Sequence, residues 1–160
     1  MTAITKQQFV HRSSIAAPVE AVFAWHERPD AFDRLTPPWA DVQSIAQSGG
    51  IQDGARRELR VKLGPLTRRW VLEHRDYMFG RQFRDVQVEG PFKSWEHTHR
   101  FEPDGDNACS MEDHIEYQLP GGMLGRVLGA SFVHGQLKRL FEYRHRIVAE
   151  AFKQSRSGDR

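Results

Sequence analysis

Cysteine is almost absent from this chain. Of 160 residues only Cys109 is a cysteine, which excludes an internal disulfide and any zinc site built from thiolates. Long apolar runs are missing too. No stretch approaches the ~20 residues that cross a bilayer, so no membrane span is expected. Met1 to Val10 lacks the charged-then-apolar pattern of a secretory leader, and with a single thiol this points to a reducing, cytoplasmic setting. Charge of one sign is nowhere concentrated. Lys and Arg number 23 against 21 Asp and Glu, a formal net charge of +2, and pairs such as Arg56-Arg57 and Arg68-Arg69 have acidic neighbours in Asp53, Glu58 and Glu73. Nucleic-acid binding needs a clustered basic face, and the scattered Arg do not supply one. Repeats and low-complexity tracts are absent. The length suits one domain, residues 1–154, followed by a polar, disordered tail at 155–160.

What is present is a change of period along the chain. Gln7 to Ile15, rich in Phe, Val and Ile, reads as a strand. Pro18 then suits the first turn of a helix, and Val19, Val22, Phe23 and His26 recur at helical spacing as far as Arg28. A second short helix is expected from Pro29 to Leu35. Beyond Thr36-Pro37-Pro38-Trp39 the period drops to two, with strands near Ala40–Gln47, Ala55–Leu63, Thr67–Asp76, Gln82–Val88, Ser94–Glu102 and Ala108–Gln118. Short separators such as Gly64-Pro65, Phe79-Gly80 and Asp104-Gly105-Asp106-Asn107 make these antiparallel neighbours. Met123 to Lys153 reads as a long helix, with Val133, Leu137, Leu140 or Phe141, and Val148 on one side. Gly125, Gly129 and Gly135 weaken its first half, so a break is expected before about Ser131. Six short-looped strands must curl around something, and the last helix is the element large enough to fill the hollow.

The segment Gly90-Pro91-Phe92-Lys93-Ser94-Trp95-Glu96-His97-Thr98-His99-Arg100-Phe101 carries the most information. Alternation along a strand puts Trp95, His97, His99 and Phe101 on one face and Ser94, Glu96, Thr98 and Arg100 on the other. The first set mixes aromatics with imidazoles, and an apolar wall with a few polar groups is how small-molecule pockets are lined. On the next strand the same parity turns Met111, Asp113, Ile115 and Tyr117 inward. The hairpin between the two brings Asp113 near His97 or His99. Inward candidates on other strands are Leu59, Val61 and Leu63, then Trp70, Leu72 and His74. For Gln82 to Val88 the parity is ambiguous, and we favour Phe83 and Asp85 inward. Trp25, Phe32, Leu35 and Trp39 are expected at the mouth, and Leu137 and Phe141 on the helix facing the hollow.

This order of elements resembles the START/SRPBCC superfamily, which includes birch-pollen-allergen-like proteins and polyketide cyclase/dehydrase-like domains. The local matches are Ile15-Ala16-Ala17-Pro18-Val19-Glu20-Ala21-Val22-Phe23, the Gly90 to Phe101 segment, Asp113-His114-Ile115-Glu116-Tyr117-Gln118-Leu119-Pro120, and Leu140-Phe141-Glu142-Tyr143-Arg144-His145-Arg146. The last three together resemble a bacterial subgroup, some of whose members precede an epimerase-like domain. The resemblance implies an α+β helix-grip fold: a strongly curved antiparallel sheet of about seven strands wrapped around a long C-terminal helix, with two short helices after the first strand. It also implies a cavity holding a mostly apolar small molecule, and it leaves open a separate epimerase-like protein as partner.

Three roles stand side by side for His97, His99 and Asp113: a satisfied interior network, orientation of a guest's polar groups, and proton transfer. The leading expectation is a binding module for a small lipid-, polyketide- or aromatic-like molecule, acting as carrier, sensor or sequestering protein. The alternatives are a cyclase or dehydratase using a His/Asp pair in the same cavity, and an interaction module whose cavity is vestigial. Expected ligand contacts are Trp70, Leu72, Phe83, Asp85, Trp95, His97, His99, Phe101, Met111, Asp113, Ile115, Tyr117, Leu137 and Phe141. No cofactor is expected. His97-x-His99 invites a metal reading, but with Asp113 as the one further ligand in view the count is short, and no metal is expected. His145 reads as helix capping or surface pairing. The segment 119–132 is open between a mobile lid and a homodimer contact.

Overall fold

The computed structural model describes residues 6–63 and 65–157. Strand β1 (Gln7–Ile15) leads into α1 (Val19–His26) and the single-turn α2 (Ala31–Arg34). Six strands follow: β2 (Val42–Ser48), β3 (Arg56–Leu63), β4 (Leu66–Met78), β5 (Gln82–Glu89), β6 (Ser94–Pro103) and β7 (Cys109–Gln118). Helix α3 (Gly122–Ser157) closes the chain. The seven strands form one antiparallel sheet in the order β1-β7-β6-β5-β4-β3-β2. Strands β2 to β7 are a meander, and β1 completes the sheet beside β7. The sheet curves around α3, so the architecture is the α+β helix-grip form. Among the described residues no helix is long and apolar enough to cross a membrane.

Register fixes which side chains face in. β6 and β7 pair with His99 opposite Asp113, His97 opposite Ile115 and Trp95 opposite Tyr117. Inward Trp95, His97, Phe101, Met111, Asp113, Ile115 and Tyr117 are all buried. The outer face is laced by ion pairs. Glu112, buried on that face, accepts from Arg12 on β1 and Arg100 on β6.

Two apolar clusters fill the interior. One gathers Val22 and Phe23 of α1 with Phe83, Phe101, Met111 and Val148. The other gathers Phe9, Leu59, Val61, Leu72, Trp95, Ile115 and Tyr117 around Leu137 and Phe141 of α3. Helix α3 is held to the sheet by Phe141, whose ring lies 5.6 Å from Phe9 and 5.1 Å, edge-on, from His97. It is held to the end of α2 by Arg144, whose Nε donates at 3.1 Å to the carbonyl of Leu35, the C-terminal cap of that helix.

The expected break before Ser131 is not found: α3 runs unbroken through Gly125, Gly129 and Gly135. A helical glycine costs about 1 kcal/mol, but Gly129 has a reason to be there. A Cβ at that position would stand 3.0 Å from Leu119 Cδ1, so the missing side chain lets the helix pass close to the chain that enters it. α1 and α2 are each shorter than expected, ending at His26 and Arg34. Of the expected tail, residues 155–157 continue the helix, and 158–160 lie outside the described residues.

Gly90 ties the fold to the interior. Gln87 donates from Nε2 to the Phe92 carbonyl at 2.8 Å and accepts from the Phe92 N–H at 3.3 Å, which seats the β5–β6 connection against Trp70. A Cβ on Gly90 would collide with Trp70 Cδ1 and the Gln87 carboxamide. Gly90→Ala is therefore expected to cost about 1–3 kcal/mol of stability, read as a lowered midpoint in urea unfolding.

Candidate functional site

Between α3 and strands β2 to β6 lies a cavity of about 530 Å3. Its wall is mainly apolar: Leu59, Val61, Trp70, Leu72, Phe92 and Trp95 from the sheet, Val133, Leu137, Leu140 and Phe141 from α3. Phe32, Leu35 and Trp39 stand at the end covered by α2 and the loop after it. Among its polar residues His74, Asp85, His97 and His99 form one group on the sheet, with Arg57 and Arg144 elsewhere on the wall; Glu27, Arg28, Asp41, Lys62 and others also border it. Arg57 lies over the Phe32 ring, 4.4 Å from its centroid. The indole N–H of Trp70 is buried without a hydrogen-bond partner among the described residues.

Behind the polar wall a network of imidazoles and carboxylates crosses the interior. Asp113 is its centre. Its Oδ1 accepts from His97 Nε2 at 2.7 Å and lies 2.8 Å from His99 Nδ1; its Oδ2 accepts from His145 Nε2 at 2.6 Å. The other nitrogen of His145 accepts from Ser13 Oγ at 2.5 Å, and the half-buried His11 ring packs edge-on at 4.4 Å. On the cavity side, His99 Nε2 donates to Asp85 Oδ2 at 3.2 Å. His97 Nδ1 stands 3.7 Å from the same oxygen. His74 Nδ1 is 2.6 Å from Asp85 Oδ1 but out of line for a hydrogen bond, so this contact is electrostatic and leaves both atoms directionally unsatisfied.

Burial disfavours every charge in this network, and the partners decide which charges persist. Burial pushes the Asp113 carboxyl up, but the charge on His99 and hydrogen bonds from His145 and His97 hold it well below the usual carboxylate range. Asp85 is likewise held low against burial by His74 and His99. The rings of His97 and His99 are 3.8 Å apart, too close for two cations. Burial, then the charge on His99, pulls His97 down to about 4. Burial also opposes the His99 cation, but Asp113 and Asp85 on either side outweigh it and raise the group to about 9. His99 stacks on Phe83 at 4.0 Å, which fixes its plane. Asp85, His97 and His99 each offer a metal-ligating atom within 4.8 Å of the others.

Of the residues the sequence singled out, Trp70, Leu72, Phe83, Asp85, Trp95, His97, His99, Leu137 and Phe141 line the cavity. The favoured parity of β5 is the observed one. Phe101, Met111, Asp113, Ile115 and Tyr117 face inward without reaching the hollow. α3 packs on Ile115 and Tyr117, and α1 and α3 cover Phe101 and Met111. Trp25, expected at the mouth, is core packing against α1's neighbours. Leu63 and the side chains at 122–128, within the segment expected to be a lid or dimer contact, lie outside the described residues; Phe132 and Val133 beyond them line the cavity.

His145 is the main correction. It is buried and bonded to Asp113 rather than capping or pairing at the surface. α3 continues to Ser157, so residue 145 sits within the helix and faces the sheet. Ser13 had no signal of its own beyond its place in β1.

The family described as polyketide cyclase/dehydrase and lipid transport matches residues 15–141. No curated protein matches. Among solved structures, the aromatase/cyclase ZhuI from Streptomyces sp. R1128 superimposes with a TM-score of 0.73 at 14% identity, covering 97% of this chain and 99% of that one. Norcoclaurine synthase from Thalictrum flavum gives 0.69 at 15% identity, with 94% and 99% covered. A nucleoside-diphosphate sugar epimerase from Corynebacterium glutamicum gives 0.70 at 29% identity over 91% of this chain and 29% of that chain. The likenesses to the first two are likenesses of fold.

Two measurements follow from the geometry. Asp113→Ala strands three imidazoles and is expected to cost about 3–5 kcal/mol, whereas Asp30→Ala at the exposed Arg28–Asp30–Arg34 group should leave the urea midpoint nearly unchanged. The second concerns His26, which donates from Nδ1 to the Val22 carbonyl at 2.8 Å. Burial lowers its pKa from 6.5 to about 4. Its contribution to stability is therefore present above the unfolded value and is lost as pH falls toward the folded one. Between pH 7 and 4.5 this loss amounts to about 2–3 kcal/mol, and His26→Leu should remove that share of the acid destabilisation in urea unfolding.

Proposed function

The chain belongs to the polyketide cyclase/dehydrase and lipid transport family, and on that premise we propose that it encloses a small, mostly apolar molecule with a polar end. The observation that carries this reading is the cavity of about 530 Å3, apolar along its length and polar at one wall. That volume is in the range of sites that enclose drug-sized molecules. A guest's rings or chain would lie along Leu59, Val61, Leu72, Trp95 and Leu137, where removal from water contributes about 25 cal/mol per Å2. Its oxygen substituents would meet Asp85, His97 and His99, and the unpartnered indole N–H of Trp70 offers a further donor to an acceptor group.

A second reading, a cyclase- or dehydratase-type reaction, is favoured by one specific observation. Hydrogen bonds and close contacts run without a gap from Asp85 at the cavity wall through His99, Asp113 and His145 to Ser13, with half-buried His11 beside the end. Such a chain moves a proton between an enclosed guest and the β1 edge of the sheet without opening the cavity. Simple carriage does not require it.

Both readings need an open hollow, so filling it tests them together. Val133→Trp places an indole into the space from α3. It is expected to weaken binding of the apolar dye 1-anilinonaphthalene-8-sulfonate by at least about tenfold without lowering the melting temperature; unchanged binding would remove the guest. His99→Gln separates the two readings. A held guest loses about one hydrogen bond, ~1 kcal/mol or roughly fivefold in affinity. A reaction that uses the proton chain loses about a hundredfold or more in turnover.

A further inference from the structure

The polar wall has a feature that neither guest binding nor core packing explains. His97 donates its Nε2 proton to Asp113, which leaves the Nδ1 lone pair of a neutral ring facing Asp85 Oδ2 across 3.7 Å. His99 Nε2 approaches the same oxygen at 3.2 Å. Three donor atoms thus converge on one small volume at the edge of the cavity. Two of them, His97 Nδ1 and Asp85 Oδ2, are acceptors turned toward each other, and the third, His99 Nε2, places a proton beside them that a bound cation would displace.

The far side of each ring is equally telling. His97 Nε2 and His99 Nδ1 are both within 2.8 Å of Asp113 Oδ1, at 2.7 Å and 2.8 Å. A ligating histidine almost always gives its other N–H to a carboxylate, which fixes the ring and raises its basicity. Here one carboxylate serves both rings, and is itself held by His145 on α3. Donors bound to zinc at ~2.0–2.1 Å in a tetrahedron lie about 3.3 Å apart. The 3.2 and 3.7 Å separations bracket that value, so small side-chain rotations bring the set to ligating geometry.

We propose that Asp85 on β5 and His97 and His99 on β6 form a site for one divalent first-row transition ion, zinc fitting best, with its remaining coordination open to the cavity. Two imidazoles and a carboxylate are donors suited to such ions, and three protein ligands with an open fourth position are the pattern of reactive rather than purely structural zinc. The ion would replace the His99 Nε2 proton, released to solvent on binding, as the positive charge between the two buried carboxylates, and would present an electrophile to an oxygen atom in the hollow. The site does not depend on an organic guest being bound.

Protein dialysed against a chelator is titrated with Zn2+ by calorimetry and with Co2+ by visible absorption, with no guest present. One ion per chain and ligand-field bands from bound Co2+ are expected. Asp113→Asn, which removes the orienting carboxylate charge, should weaken Zn2+ binding by about ten- to a hundredfold, and Asp85→Asn or His99→Gln by more. His134→Ala, at an exposed histidine, should leave it unchanged. Circular dichroism checks that each variant is folded; should Asp113→Asn fail, Asp85→Asn at the cavity wall carries the test. The proposal is overturned if the wild type binds no more ion than the His97→Gln/His99→Gln double variant, or if binding survives Asp85→Asn and His99→Gln but is lost in His134→Ala. Because no guest is added, a negative result removes the ion and leaves the guest reading standing.

Discussion

Asp113 is an ionised carboxylate inside a protein, and the arrangement of the last helix follows from keeping it neutralised. Both of its oxygens are taken, one by His97 and His99 on the neighbouring strand, the other by His145 on α3. An uncompensated charge at that depth costs several kcal/mol, so α3 is confined to the rotation and height that bring His145 to Oδ2. Phe141, one turn earlier, is then set against Phe9 and His97, and Arg144 reaches the carbonyl of Leu35, the residue that caps α2. The cavity is what remains once those three contacts are made. Its depth is a consequence of a polar bond, whereas its wall is a consequence of apolar packing.

A buried ionic network seldom adds much net stability, because desolvation offsets most of the attraction between its charges. Packing of similar volume by Leu and Phe would hold sheet and helix at least as well. What the network adds is direction. Apolar contacts tolerate sliding by a fraction of a turn, but hydrogen bonds of 2.6 and 2.7 Å do not. A sheet this curved, closed by one long helix, can otherwise collapse onto its own hollow. The two apolar clusters lie on either side of the network, with His99 stacked on Phe83 of one and His97 edge-on to Phe141 of the other.

Much of this was legible in the sequence, and the limit has a physical cause. Strict alternation on β6 and β7, with a short turn between them, determined which residues point inward and that Asp113 comes near His97 or His99; the structure brings it to both. The ambiguous β5 was settled as favoured because Phe83 needs burial more than Val86 or Val88 does, and Asp85 travels with it. Parity, however, distinguishes only inside from outside. Whether an inward residue touches helix or hollow depends on where α3 lies, and that is why Phe101, Met111, Ile115 and Tyr117 turned out to be packed core. His145 was illegible for a related reason. It falls on the stripe of Leu137, Phe141 and Val148, but its own polarity and its neighbours Arg144 and Arg146 favour a surface reading, and its partner is 32 positions away. The unbroken helix through Gly129 depended on a close approach to Leu119 that no single-segment reading contains.

The two carboxylates of the network are not equivalent, and the difference locates the chemistry. Asp113 is enclosed on every side and both its oxygens have directed partners; nothing further can be offered to it. Asp85 borders the hollow, and its Oδ1 has only the misaligned approach of His74. An unmet carboxylate oxygen is costly at depth and tolerable only where water or a guest can reach it. The arrangement obeys that rule. The saturated half of the network fastens α3, and the half with unmet valence faces the space where a guest, or an ion, would stand. Fastening and recognition are thereby joined through two rings, since His97 and His99 each touch both carboxylates. Anything that binds at Asp85 is felt at Asp113, and through His145 at the seat of the helix that closes the cavity.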